Sequence, residues 1–249
     1  MIMIDKKTVF IALFAALPLL AFAQLKAEDV VRRLEQNQVH GTAKSSGRLL
    51  ITNQFGTRTK TFNVWSEGAD KLLLEFTNKE ERGQKILRLK DEIYVYYPRS
   101  NSVVRIQGGA LKDSIFGSDF TYEDLTGEKG ILDLYKVEFA DPPTETIGGK
   151  ACYHLKLTGI ASVAYPFQEL WVETDRFVTR KAVYYSLTRE PLKTLEVTET
   201  MEQKGKVFPS RFVMTDLVKK GSSTEFVIES IQIDVPLDPK QFTLERLKF

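Results

Sequence analysis

Beyond residue 46 the chain alternates apolar and polar residues with a period of two. The pattern is most regular over residues 150–159, 193–203, 206–218 and 224–235, which are rich in Val, Ile, Thr, Phe and Tyr. Successive side chains of a strand point to opposite faces, so such a pattern buries one side of each segment as β-sheet. Turn residues punctuate the segments, at Gln54-Phe55-Gly56, Glu67-Gly68-Ala69-Asp70, Pro98-Arg99-Ser100-Asn101, Gly205 and Gly221. Links this short join antiparallel neighbours, and roughly ten strands at even spacing predict a large, mainly β sandwich or barrel. Asp141-Pro142-Pro143 through Gly148-Gly149 reads as a long loop within one domain, because the strand spacing is the same on either side. Residues 24–37, with Leu25, Val30 or Val31, and Leu34 along one side, predict an amphipathic helix that must dock to persist.

Several strands are apolar on both faces, Leu72-Leu73-Leu74 and Tyr94-Val95-Tyr96-Tyr97 among them, and must be covered on both sides. The few helical residues cannot cover ten strands. Either the sheet curls around its own packed side chains or it encloses a cavity for an apolar ligand. One stretch, residues 108–127, breaks the alternation. Leu111, Ile115 and Phe116 recur at helical spacing, Gly117-Ser118 interrupts them, and Thr121-Tyr122-Glu123-Asp124 fits a capping box. This stretch reads as two short helical turns over the opening of a curved sheet, hinged at Gly108-Gly109 and Gly117. Phe116, Phe120, Tyr122 and Leu125 are then the candidate ligand contacts, and Leu72, Leu74 and Phe76 the candidate walls. An ordinary connection packed on a core is the competing reading. Asp119, Glu123 and Asp124 are expected in capping and in a salt bridge to Arg105.

The first residues look like an export signal. Lys6 and Lys7 precede an uncharged apolar run over residues 8–22, and Ala21-Phe22-Ala23 has the small-x-small cleavage pattern. Cleavage after Ala23 would leave residues 24–249 as one exported domain. That form would begin with Gln24, not with the Cys of a lipoprotein. Cys152 is the sole cysteine, so no intramolecular disulfide can form. Lys plus Arg total 35 against 33 Asp plus Glu, interspersed and without a basic run, which is no footprint for nucleic acid.

Catalytic patterns are sparse. Cys152 and His154 share a strand face about 7 Å apart, beyond hydrogen-bond reach for a nucleophile and its base. With His40 the only other histidine, a zinc site of His and Cys ligands is not expected. Asp119, Glu123 and Asp124 lack the ligand positions of an EF-hand, and no G-x-S-x-G, HExxH or phosphate-cradling glycine motif occurs. We expect no catalysis, no cofactor and no metal.

Tyr96-Tyr97-Pro98, Val104-Arg105-Ile106 and above all Gly117-Ser118-Asp119-Phe120-Thr121-Tyr122-Glu123-Asp124-Leu125 resemble the LolA-like periplasmic outer-membrane lipoprotein-sorting family. The last run marks a subgroup with a GSDFxYEDL segment. Tyr153, Leu155, Leu157, Trp171-Val172 and Leu237-Asp238-Pro239 with Phe242 extend the resemblance over most of residues 24–249. It implies a half-open antiparallel β-barrel with helices across its open side and an apolar cavity between. The implied function is carriage of lipoprotein acyl chains or another lipid toward the outer membrane. An inner-membrane exporter would be the donor, an outer-membrane acceptor would receive the cargo, and the carrier would be a monomer. An RseB-like sensor or regulatory module of the same fold is the alternative.

Overall fold

Among the residues that the computed structural model describes, 25–38, 40–90, 92–122, 124 and 130–248, thirteen strands form one antiparallel sheet. The expected leader, Gln24, Glu123 and Leu125 lie outside the described residues. Two meanders build the sheet. The first comprises β1 (Thr42–Asn53), β2 (Gly56–Glu67), β3 (Lys71–Phe76), β4 (Lys85–Leu89), β5 (Glu92–Tyr97) and β6 (Ser102–Ile106). The second comprises β7 (Tyr135–Ile147), β8 (Lys150–Gly159), β9 (Phe167–Glu173), β10 (Thr179–Tyr185), β11 (Pro191–Gln203), β12 (Lys206–Asp216) and β13 (Ser222–Ile233). Pairing of β1 with β13 joins them, so the order runs β6 to β1, then β13 back to β7. The edges β6 and β7 do not pair, which leaves the barrel open.

The seam between the meanders is tight. β1 and β13 shift register at Ser46/Gly47, where a β-carbon on Gly47 would collide with the Val227 carbonyl oxygen. A side chain there would force the two strands apart.

The inner face carries two clusters. Leu49, Ile51, Phe62, Leu74, Phe76, Ile86, Val95, Met214 and Phe226 form one. Val137, Leu155, Leu157, Leu170, Val172 and Ala182 form the other, beneath the helix α1 (Ala27–Gln38) and the single turn α2 (Ile131–Leu134). Helix α1 docks through the fully buried Val30 and Val31 and through Leu34. The Glu35 carboxylate accepts from the Ile131 N–H at 2.5 Å, which ties the two covers together. On the outer face Leu73, Leu87 and Tyr96 pack under Phe242 and Leu247. Those two belong to a 3-10 turn (Pro239–Phe242) and the short helix α3 (Leu244–Leu247). The first meander is therefore covered on both faces, as its doubly apolar strands require.

Two expectations are corrected. The strands number thirteen among the described residues, not about ten. Asp141-Pro142-Pro143 lies within β7, not in a loop, and a register shift between Phe139 and Thr144 absorbs it. Prolines are tolerated there because β7 is an edge strand with one side unpaired.

Candidate functional site

The chain leaves β6 at Ile106, makes a 3-10 turn at Gly108–Lys112 and crosses the inner face of the first meander. The helical spacing of Leu111, Ile115 and Phe116 does not continue as a helix. Ser114 instead bridges Thr121, and the Ile115 N–H donates to the Phe120 carbonyl at 2.8 Å. This closes a tight loop in which Phe116 and Gly117 take left-handed backbone angles, φ 47° and 80°. Thr121 and Asp124 do form the expected reciprocal cap. The Thr121 N–H donates to Asp124 Oδ2 at 2.9 Å, and the Asp124 N–H donates to Thr121 Oγ1 at 3.1 Å.

The loop acts as an apolar plug. Ile115 and Phe120 are buried with Leu74 and Phe76, while Leu72, Tyr97, Leu111 and Phe116 pack around them. Phe116 meets Phe76 edge-on at 5.0 Å and Tyr97 at 6.4 Å. Phe120 stands edge-on to Phe212 and Phe226 at 5.9 and 6.1 Å. Burial, and next the neighbouring Tyr97, raises the pKa of the Tyr122 phenol above its ordinary value. The structure thus brings Leu72, Leu74, Phe76, Phe116, Phe120 and Tyr122 to one place. Under the plug these side chains pack against one another across the trough. Pro98 sits apart, on a cleft of about 350 Å³ on the outer face with Trp65, Tyr96 and Arg246. A second cleft, about 520 Å³, lies at the end of α1 between Arg33, Arg176 and Lys206.

Polar anchors hold the plug. Asp119, 2% exposed, accepts from the Ser222 hydroxyl at 2.6 Å and the Thr224 hydroxyl at 2.7 Å, and its N–H donates to Thr224 Oγ1 at 2.9 Å. Lys193 donates to the Asp119 carbonyl at 2.5 Å. The hydroxyl of Ser118, also buried, accepts from the Phe120 N–H. Among the described residues the expected salt bridge to Arg105 does not form: Arg105 pairs with Glu92 at 2.8 Å, across the β5–β6 hairpin. The anchors on β11 and β13 were missed because nothing local in the sequence places Ser222, Thr224 or Lys193 beside Asp119.

Asp124 sits where the plug meets the cover of the second meander, with the Tyr165 hydroxyl donating to it at 3.2 Å. Tyr184 and Leu195 pack against both inner clusters at this junction. Burial raises the Asp124 pKa, against the opposing pull of the Thr121 N–H and the Lys193 charge. A raised carboxyl pKa means the folded state holds the proton longer than the unfolded chain does. The stability it contributes is complete below the ordinary carboxylate range and is lost as pH rises through the folded pKa. Asp124→Asn keeps an acceptor oxygen for Thr121 and Tyr165 without the charge. It should raise the melting temperature at neutral pH and flatten the decline between acid and neutral pH, read from melts across that range.

No nucleophile pair forms at Cys152. Its buried thiol points to the Lys150 carbonyl at 3.5 Å, and burial raises its pKa. His154 stacks on Trp171 at 4.3 Å, between the carboxylates of Glu145 and Glu169 at 3.6 and 3.4 Å. No cluster of metal-ligating side chains occurs among the described residues.

A half-open sheet with covers across its inner face is the LolA-like fold, and solved structures share it. A DUF1329 family protein from Desulfovibrio piger aligns with a TM-score of 0.84 at 23% identity, over 89% of this chain and 97% of its own. A domain from Vibrio parahaemolyticus, described as an outer membrane lipoprotein-sorting protein, gives 0.80 at 20% identity, over 90% and 100%. A LolA superfamily protein from Nitrosomonas europaea gives 0.72 at 23% identity, over 89% and 99%. A family model described as "Uncharacterized protein" matches residues 68–249, and the chain belongs to that family. No curated protein matches it.

Proposed function

We propose that the protein is a periplasmic carrier that holds the acyl chains of a lipoprotein, or another lipid, on the inner face of the first meander, with the 108–124 plug giving way to the cargo. Residues 1–23 are its cleaved export signal, and residues 24–249 the exported lipid-binding domain. The observation that carries this reading is the plug itself. An apolar loop seated on an apolar sheet face is held at its tip by hydrogen bonds to β11 and β13, and the contacts it makes are ones an alkyl chain can replace.

Exchange solves the problem every lipid carrier faces. Each methylene removed from water contributes roughly 0.8 kcal/mol, so a carrier with an empty greasy trough would hold its cargo too tightly to release it. A plug that re-covers the same surface as the cargo leaves offsets part of that loss. The Leu72, Leu74 and Phe76 wall stays apolar in both states, while Phe116, Phe120, Tyr122 and Leu125 swing with the lid. Tyr97 and Gly117 serve as seat and hinge, and Ser118, Asp119, Glu123 and Asp124 as the fastening. The GSDFxYEDL run is on this reading the fastening signature of a subgroup. Donor and acceptor are then the inner and outer membranes or proteins in them, and the carrier works as a monomer without cofactor or catalysis.

Delipidated protein should bind a fluorescent fatty acyl probe. Asp119→Ala, which removes the acceptor of two hydroxyls, should loosen the plug and tighten probe binding by up to about tenfold, because a larger fraction is competent to bind. Probe affinity that stays the same or weakens, in a variant whose melting temperature has fallen, would show that plug and probe do not compete.

A further inference from the structure

Of the seven large apolar side chains exposed among the described residues, Phe55, Ile160, Leu187, Leu217 and Val218 lie in turns at one end of the sheet. They belong to four hairpins that are consecutive in the sheet order: β1–β2, β12–β13, β10–β11 and β8–β9. Phe55 is 88% exposed, Leu187 78%, Val218 70% and Ile160 63%. The same turns carry exposed Arg189, Lys219 and Lys220 against Glu190 and the buried Asp216, which lies 3.5 Å from Lys219. Turns 77–84 and 98–101 at the same end hold Lys79, Glu80, Glu81, Arg82 and Arg99, and no exposed large apolar side chain. The apolar tips are thus confined to one run of neighbouring hairpins.

From this we infer that the rim formed by the β1–β2, β12–β13, β10–β11 and β8–β9 turns is a docking surface for an anionic lipid bilayer. Polar turn residues such as Gln54, Thr188 and Lys219 stand beside the apolar ones in the same turns. A protein partner buries a desolvated core depleted of charge, whereas these turns keep charged side chains among the apolar tips. A bilayer interface takes apolar side chains singly, and lysines and arginines between them meet anionic headgroups. The short, well-bonded turns keep the tips exposed: Asp216 Oδ1 accepts from the N–H groups of Val218 and Lys219 at 2.9 and 2.8 Å, and Ser186 Oγ accepts from the Glu190 N–H at 3.1 Å. The inference does not depend on the cargo. It gains meaning from where the plug is fastened, since Ser222 and Thr224, which hold Asp119, stand at the base of the β12–β13 hairpin. Docking would put the fastening next to the membrane.

The test is sedimentation with phosphatidylcholine vesicles, with and without phosphatidylglycerol, using protein purified in the form the cell accumulates. Wild type should pellet with the anionic vesicles, and less so as salt is raised. The combined Phe55→Ser, Leu187→Ser and Val218→Ser variant should lose about tenfold or more of its partitioning at an unchanged melting temperature. Lys219→Ser with Lys220→Ser should remove the preference for phosphatidylglycerol. Wild type that stays in the supernatant, or a triple variant that pellets like wild type, overturns the inference. So does uptake that appears only when a membrane protein is present, which would assign the rim to that protein. Asp119→Ala should pellet like wild type, and this separates docking from cargo binding.

Discussion

Phe120→Ala should lower the unfolding free energy by about 3–5 kcal/mol, the usual cost of deleting a buried ring. Phe120 is 2% exposed and fits edge-on against Phe212 and Phe226, which stack on each other at 4.8 Å, with Phe62 a further 4.9 Å from Phe226. Removing the ring empties the middle of this nest, and the surrounding strands are too well bonded to collapse into the space. Chemical denaturation reads the change directly. A loss below about 1 kcal/mol would mean that the plug contributes little to the core it fills. Phe120→Glu should cost the fold as well, because it would take a carboxylate out of water into the place of a buried ring.

Glu173→Ala should be of comparable severity, about 3–5 kcal/mol, through a different mechanism. Glu173 ends β9 fully buried, and two guanidinium groups converge on it. Arg176 donates from Nε at 2.7 Å and from a terminal nitrogen at 2.9 Å, and Arg180 donates at 3.0 and 2.8 Å. Truncation leaves Arg180, with a side chain only 10% exposed, as an uncompensated charge. Burial pushes the Glu173 pKa up, but the two arginines outweigh it and hold the pKa below the ordinary value. The sign is therefore opposite to that of Asp124. The stability Glu173 contributes is complete above the ordinary carboxylate range and is lost as pH falls through the depressed folded pKa. Glu173→Ala should remove that part of the acid sensitivity as well as lowering the melting temperature, whereas an acid limb as steep as the wild type's would assign the acid loss to other carboxylates.

What could be read from the sequence was what is local. Period-two alternation located strands because one face of each is buried, and Leu72, Leu74 and Phe76 do share the inner face while Leu73 faces out. The Thr121–Asp124 cap was legible because its two partners sit three residues apart. Leu111, Ile115 and Phe116 misled because a chain that crosses a sheet while folding back on itself can place apolar residues at helical intervals without a helical backbone. The prolines of β7 misled because edge position, which makes them harmless, follows from sheet order. Arg105 finds Glu92 through hairpin register, and Asp119 finds Ser222 and Thr224 only once β13 has paired with β1. Apolar tips such as Phe55 and Leu187 carried no sequence signal as a group, because only the topology puts their turns at one end.

The claim on which the account turns is that the plug and a lipid chain exclude each other from one sheet face. Hydrogen exchange of the plug amides, with and without saturating acyl probe, tests it most directly. The Ile115 N–H bonded to the Phe120 carbonyl, the Ser118 N–H bonded to the Ile115 carbonyl and the Asp119 N–H bonded to Thr224 are the reporters. Loss of their protection on probe binding, while β3 and β4 keep theirs, is the predicted result. Protection that is unchanged or increased at all three with the probe bound would contradict the account.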